Sequence, residues 1–542
     1  MNKKVYFNGK IITVDKNNGI YEAVFVENGI IKAIGDNEEI LQLAYDENDT
    51  EEINLKGKTM LPGFIDPHGH IVAIAQSSMM PNFEDVTSRE EMVDKLKVYL
   101  SENPKKENEW LLGLGYDNSK FADGKHPTKF DLDKVSTEIP IFITHASGHI
   151  AAVNSKVLEI FGYVGNDYIV PEGGVVQTVK DTNEANGILE ETAFLIESKK
   201  SLIGAPSFED VLVALEKAQD LYASYGITTA QDASVDKGMN QLLGAAAKYG
   251  KLKLDIIGYA VQPVTAELME KTSTLDAKYY NHYKLLGGKM WLDGSPQAKT
   301  AWLTKPYFVV PEGQKEDYCG YGTQPDEYVE AYVTECIDNN IQVNAHCNGD
   351  AASDQFIRCY KKALENTGNQ ANLRPVMVHC QTVREDQLDC MKRIGMIPTF
   401  FLDHIFYWGD YHYDSVLGEE RANRISPAGS ALKRGMNFTL HQDPPVKMPI
   451  ITLAIHNAVN RMTQSGRVLG EEQKIGVIDA IKAVTINGAY QYFEEKTKGS
   501  IEVGKVADFV ILDKCPIILD KKELKTIKVL ETIKDGNTIY KA

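Results

Sequence analysis

Over residues 1–60, hydrophobic positions come in short runs broken by turn signals. "EAVFVENGIIKAIG" sets Asn28-Gly29 between two apolar runs, a strong hairpin signal because both turn positions require positive φ. The C-terminal stretch repeats this character: "GSIEVGKVADFVILD", then "KVLETIKDGNTIYKA" with its own Asp535-Gly536 turn. Chain termini often lie close together, so residues 1–60 and 496–542 are expected to build one β-sandwich domain. Between them the pattern changes. Short strand-like runs ending in polar residues alternate with helical stretches such as "SFEDVLVALEKAQDLYASYG". The runs are "MLPGFIDPHGH", "GITTAQDAS", "KLDIIGYAV", "LLGGKMWLDGS", "IQVNAHCNGD", "RPVMVHCQT", "GMIPTFFLDH" and "NFTLHQDPP". Eight such runs predict an α/β chain with a (β/α)8 TIM barrel over 61–495. The long interval between the first two runs, near 77–215, is expected to be an insertion that caps the barrel as a lid or substrate region.

Functional residues of such a barrel sit at the C-terminal strand ends. Run one ends in His68 and His70, run four carries Lys289, run five ends in His346, run six in His379, and run eight in Asp443. Residues i and i+2 of a strand share a face, so His68 and His70 can grip one ion. Joined by His346 and His379, they define a metal site. Asp443 could cap a turn before the prolines; its place beside run one favours a carboxylate that binds metal and accepts a proton. His441 is divided between a structural and a functional role. Lys289 would be repelled as a cation beside metal, so it either pairs with Asp293 or loses its proton and captures CO₂ as a bridging carbamate. His126 and His282 end no run and read as surface or core residues. Cys347 and Cys380 follow ligands directly, and strand alternation turns them into the packing.

Composition narrows the class. A net charge of −18 excludes nucleic acid and anionic membranes as partners, since both need a basic surface. No apolar run is long enough to span a bilayer, and the start is no signal peptide. Seven scattered cysteines with no CxxC pair suit free thiols in the cytoplasm. A homodimer is the default assembly.

"LPGFIDPHGH" resembles the PGxxDxHxH opening of the amidohydrolase superfamily, and "GSIEVGKVADFVILD" its return to the β-sandwich. "HASGHIAAVNSKVL", "GGVVQ…NGILEETA", "KMWLDGSPQAKTAWL" and "HCNGDAA" resemble the YtcJ-like branch, which includes N-substituted formamide deformylases. The resemblance runs to near residue 515. It implies a β-sandwich plus a metal-bearing barrel. By position it implies His68, His70, Lys289 (carboxylated), His346, His379 and Asp443 as ligands. One departure stands out: His441-Gln442-Asp443 replaces the Gly-Ser-Asp of many relatives.

The nitrogen-rich ligands favour two divalent zinc ions. Two ions about 3.5–4 Å apart can share a hydroxide, because metal lowers the pKa of bound water from about 15.7 to about 7. The hydroxide attacks a carbonyl polarised by one ion, and Asp443 carries the proton to the leaving nitrogen. The expected reaction is hydrolysis of an amide-type C–N bond in a small molecule, with formamides bearing a bulky apolar N-substituent foremost. Cyclic amide opening, deamination and ester cleavage are alternatives, and a non-catalytic scaffold would lack ligands that this chain retains. For the pocket, "FFLDHIFYWGDYHY" offers Phe406, Tyr407 and Trp408 on a loop beyond the seventh strand. His404 is placed to bond a substrate carbonyl. His145 and His149 fall on the lid, with His149 as the substrate contact, and Tyr116 beside Asp117 is a further candidate. Arg424 either anchors the mouth or pairs on the surface.

Overall fold

The computed structural model describes residues 3–46, 49–105, 109–165, 167–200, 208–263, 265–269 and 272–542. All eight expected runs form strands of one parallel sheet, adjacent in chain order: Phe64–Ile65, Ile227–Val235, Asp255–Val261, Tyr283–Trp291, Gln342–Cys347, Val376–His379, Ile397–Phe400 and Thr439–Leu440. Several are buried along their whole length, as expected when helices cover one face and the barrel interior the other. The helix Phe208–Ser224 leads into the second strand and buries Val211, Ala214, Leu215, Ala218 and Tyr222, an i, i+3/i+4 stripe that packs onto the sheet. Side chains tie the short last strand back to the first. Gln491 donates through Nε2 to the Pro67 carbonyl (2.8 Å) and accepts at Oε1 from Thr439 Oγ1 (3.0 Å). His70 N–H donates to the Pro444 carbonyl (2.9 Å).

The chain ends build two further sheets, one from the N-terminal segment alone and one from both ends. One holds Ile30–Gly35, Ala23–Glu27, Lys3–Phe7 and Thr50–Asn54; the other holds Asn537–Lys541, Val529–Lys534, Phe509–Leu512, Thr59–Pro62, Lys10–Ile12 and Ile20–Tyr21. Tyr6, Val24 and Val26 of the first pack with Ile11, Met60, Phe509 and Ile533 of the second. Both expected hairpin turns are present: Asn28 and Gly29 lie at φ 49° and 76°, Asp535 and Gly536 at 51° and 73°. A buried ionic cluster joins this unit to the base of the barrel. Asp255 opens the third barrel strand and pairs with Lys498 and with Lys534 (3.1 Å); Lys534 also meets Asp508 (3.3 Å).

Within 77–215 lies a five-stranded sheet, in the order Gly174–Thr178, Ala185–Glu191, Ile150–Val153, Ile141–His145 and Leu111–Tyr116. Two apolar clusters of its own, one around Phe83, Leu96 and Ile143 and one around Trp110, Phe142 and Phe194, make it a packed layer rather than a loose flap. No helix among the described residues is long and apolar enough to cross a membrane.

Candidate metal centre and substrate cavity

The strand ends bring His68, His70, Lys289, His346, His379 and Asp443 to one cavity of about 460 Å³ at the barrel mouth. Asp443 is the hub. Its Oδ1 lies 3.4 Å from His68 Nε2 and 3.3 Å from His70 Nε2, and its Oδ2 lies 3.8 Å from His379 Nε2. Ligand atoms of His68, His379 and Asp443 all fall within 4.8 Å of one another, a spacing that could hold an ion. The His346 ring lies 4.5 Å from that of His379. His379 and Asp443 both have left-handed backbone, at φ 71° and 55°, a strained conformation for these residues that aims each side chain off its strand end.

Neighbouring groups decide which nitrogen of His68 and of His346 is left free of its proton. Gln231 Nε2 donates to the Pro67 carbonyl (2.8 Å) and to Tyr492 Oη (3.0 Å), so Gln231 Oε1 must be the atom 2.9 Å from His68 Nδ1. His68 therefore carries its proton on Nδ1 and offers the Nε2 lone pair. His346 Nδ1 donates likewise to Asp293 Oδ1 at 3.1 Å. Such partners fix tautomer and orientation in metal-ligating histidines. Burial holds His68, His346 and His379 well below the usual imidazole range, so each is a neutral donor. Burial alone would raise Asp443, but the hydrogen bond from His70 helps hold its carboxyl below the ordinary range.

Lys289 is 1% exposed, and its Nζ has only His68 Nε2 (3.4 Å) as a hydrogen-bond partner among the described residues. The alternative pairing with Asp293 is not what the structure shows. That carboxylate is engaged by His346 and by the backbone N–H groups of Trp302 (3.1 Å), Asn348 (3.0 Å) and Gly349 (2.6 Å). Burial pulls the amine down to about 8. His441 is fully buried outside the cavity, with its ring 5.1 Å from both His68 and His379. Cys347 and Cys380 are buried in the main core, and all seven cysteines are free.

The substrate-pocket residues divide. His149 and His145 line the cavity. His149 Nδ1 lies 2.8 Å from Glu191 Oε2, and its ring lies 4.9 Å from His346; burial would lower it, but the Glu191 carboxylate raises it overall. Tyr116 does not reach the cavity: it is fully buried behind His145 and hydrogen-bonds His126 (3.1 Å). The stretch expected as an aromatic loop is a helix, Asp403–Tyr411. That winding buries His404 and Trp408 and keeps both, with Tyr407, off the cavity wall. Tyr407 and Trp408 instead lie beneath Lys447 Nζ, 4.1 and 5.4 Å from their ring centres, and it is Lys447 that lines the cavity, paired with Glu84 at 2.8 Å. His404 packs on Phe401, 6.2 Å from His379. Arg424 pairs with Glu385 (3.0 Å) away from the cavity.

Sequence reasoning passed over the apolar wall. Leu112, Leu114, Phe142 and Phe194 come from the insertion, and Met239, Val261 and Trp291 from the barrel. Glu191, Gln231 and Asp293 were also missed as orienting groups, although Asp293 lies only four positions after Lys289 and Gln231 sits inside the second run.

With this geometry in view, the class is clear: residues 51–540 match the model of the amidohydrolase family, and the chain belongs to that family. It is similar to YtcJ of Bacillus subtilis (strain 168), 26% identical over 99% of both chains. It is also similar to an N-substituted formamide deformylase of Arthrobacter pascens, 24% identical over 100% of this chain and 98% of that one. Its fold matches the crystal structure of an uncharacterized metal-dependent hydrolase from Pyrococcus horikoshii OT3, with a TM-score of 0.76 and 24% identity over 96% of this chain and 99% of that one.

Proposed function

We propose that this chain is a metal-dependent hydrolase that cleaves an amide-type C–N bond, with N-substituted formamides as its substrate class. The observation that carries the reading is the clustering of His68, His379 and Asp443 ligand atoms within 4.8 Å of one another, with His68 locked by Gln231 so that its Nε2 lone pair lies beside the Asp443 carboxylate. These neutral nitrogens and this anion fit a divalent ion, with His68, His70, His346, His379 and Asp443 as the residues that would hold it. Lys289, buried and pulled down to about 8, supplies the neutral amine that carbamate formation requires, and would complete a pair of zinc sites. Bound there, divalent ions would lower the pKa of water and polarise a carbonyl. Asp443 would take the proton released at the centre and deliver it to the departing nitrogen. Phe142, Phe194, Leu112 and Leu114 would exclude water and hold an apolar nitrogen substituent. His149, facing the mouth from the insertion, would contact the carbonyl oxygen. The deformylase of Arthrobacter pascens, similar over its full length, supports the choice of substrate class.

The test is metal analysis of the purified protein together with a panel of formamides, acyl amides, cyclic amides and esters. Close to two ions per chain and fastest turnover of N-benzyl-type formamides are expected. Full activity after chelation refutes metal dependence; turnover confined to esters or cyclic amides refutes the assigned bond.

A further inference from the structure

Opposite the proposed metal ligands, the insertion places His149 on the cavity wall with Glu191 behind it. Glu191 ends the strand Ala185–Glu191, and its backbone N–H donates to the His149 carbonyl (2.9 Å). Its side chain is 1% exposed, with Oε2 on His149 Nδ1 at 2.8 Å and Oε1 without a hydrogen-bond partner among the described residues. Its backbone is left-handed at φ 49°, a costly conformation for a glutamate in a strand end. Room for it exists only because residue 294 is glycine: a Cβ there would lie 2.1 Å from Glu191 Oε1. Gly294 follows Asp293, the group that orients His346. A buried carboxylate held by strain, with one imidazole as its partner, is not explained by packing, since an apolar residue would fill the space at lower cost.

We propose that Glu191 is a positioning residue: its carboxylate fixes the His149 ring so that Nε2–H faces the barrel mouth and holds the scissile carbonyl oxygen as charge develops on it. This rests on the hydrolase reading above. With Nδ1 committed to Glu191, Nε2 is the nitrogen left for the cavity that His149 lines. The barrel then supplies the attacking side and the insertion supplies the donor, so neither part is a complete site.

The experiment is a double-mutant cycle on metal-loaded protein, comparing Glu191→Gln, His149→Ala and the double variant by kcat, KM and metal content. His149→Ala is expected to lower kcat by about 10²–10³, the usual worth of one donor to a developing oxyanion. Glu191→Gln, nearly isosteric but uncharged, is expected to lower kcat by roughly 10–100-fold with little change in KM, a part of that same donor's worth. The double variant should be no slower than His149→Ala alone, Glu191→Asp should recover part of the rate, and metal content should not change. Additive losses, a loss confined to KM, or Glu191→Gln at wild-type kcat overturn the proposal. If the Glu191 variants do not fold, His149→Ala at wild-type kcat overturns it alone. A metal-loaded wild type that cleaves none of the amides refutes the hydrolase reading, and this inference with it.

Discussion

Carbamate formation on Lys289 should follow the titration of a buried amine. Its Nζ lies inside the barrel mouth with His68 Nε2 at 3.4 Å, and burial favours the neutral form, pulling the amine from 10.5 to about 8. Only the neutral amine attacks CO₂. At a pKa of about 8, roughly a tenth of the amine is neutral at pH 7 and roughly nine tenths at pH 9; an ordinary lysine near 10.4 would offer about 0.04% and about 4%. Protein stripped of metal by a chelator should therefore regain turnover, on addition of zinc at fixed dissolved CO₂, about ten times faster at pH 9 than at pH 7. The rate should level off above pH 9. Reactivation is followed in aliquots assayed at one common pH, and ¹³CO₂ gives the carbamate a carbon signal in NMR. Lys289→Ala should neither regain turnover nor show that signal, and a short carboxylic acid should restore part of its metal binding. A midpoint near 10, recovery independent of CO₂, or a Lys289→Ala variant that holds both metals and normal rates would refute the reasoning.

Asp443→Asn should keep most of its metal while kcat falls by about 10²–10⁴, the usual worth of a positioned acid–base group; a near-normal rate with full metal removes Asp443 from proton transfer. Phe142→Ala should cut kcat/KM for N-benzylformamide relative to N-methylformamide by roughly 10–100-fold, as a lost apolar wall contact does. Trp408→Ala, behind Lys447, should leave that ratio unchanged; a larger shift from Trp408 than from Phe142 would relocate the pocket. Asp255→Asn should cost about 3 kcal/mol in urea unfolding at pH 7, because it strips Lys498 and Lys534 of a buried partner. Burial opposes it, yet the two lysines hold Asp255 below the carboxylate range, so its contribution is complete above about pH 4 and is lost as the pH falls further. A wild-type advantage that persists unchanged at pH 2 contradicts that account.

The barrel was legible because its strands are buried on both faces, so each reads as an apolar run, and each run stops at a polar residue where the chain emerges at the mouth. The same rule pointed to His68, His70, His346, His379 and Asp443, which line one cavity with Lys289 from inside the fourth run. It failed where local pattern and tertiary role diverge. "DHIFYWGDY" is apolar enough to suggest a pocket loop, yet it winds into a helix that turns its aromatics against Lys447 and the core. Phe142 and Phe194 look like ordinary interior positions of a lid, and they are also the cavity wall. Glu191 falls inside "NGILEETA", but nothing local gives it a role, since its partner is 42 positions away in the chain. Orienting contacts of this kind arise from folding and leave no periodicity.

The seam between the first and last barrel strands has a mechanical consequence. Those strands are two residues each, and the ties between them include the Gln491 side chain and one His70–Pro444 hydrogen bond. His68 and His70 lie on one lip of that seam and Asp443 on the other. The least laddered line of the barrel thus runs between the proposed ligands, and an ion gripped from both lips would act as a clasp. Hydrogen exchange at residues 66–70 and 441–445 should slow on metal loading more than anywhere in the better-laddered strands opposite. Cutting the Gln491 tie by Gln491→Ala should loosen metal retention without touching a single ligand.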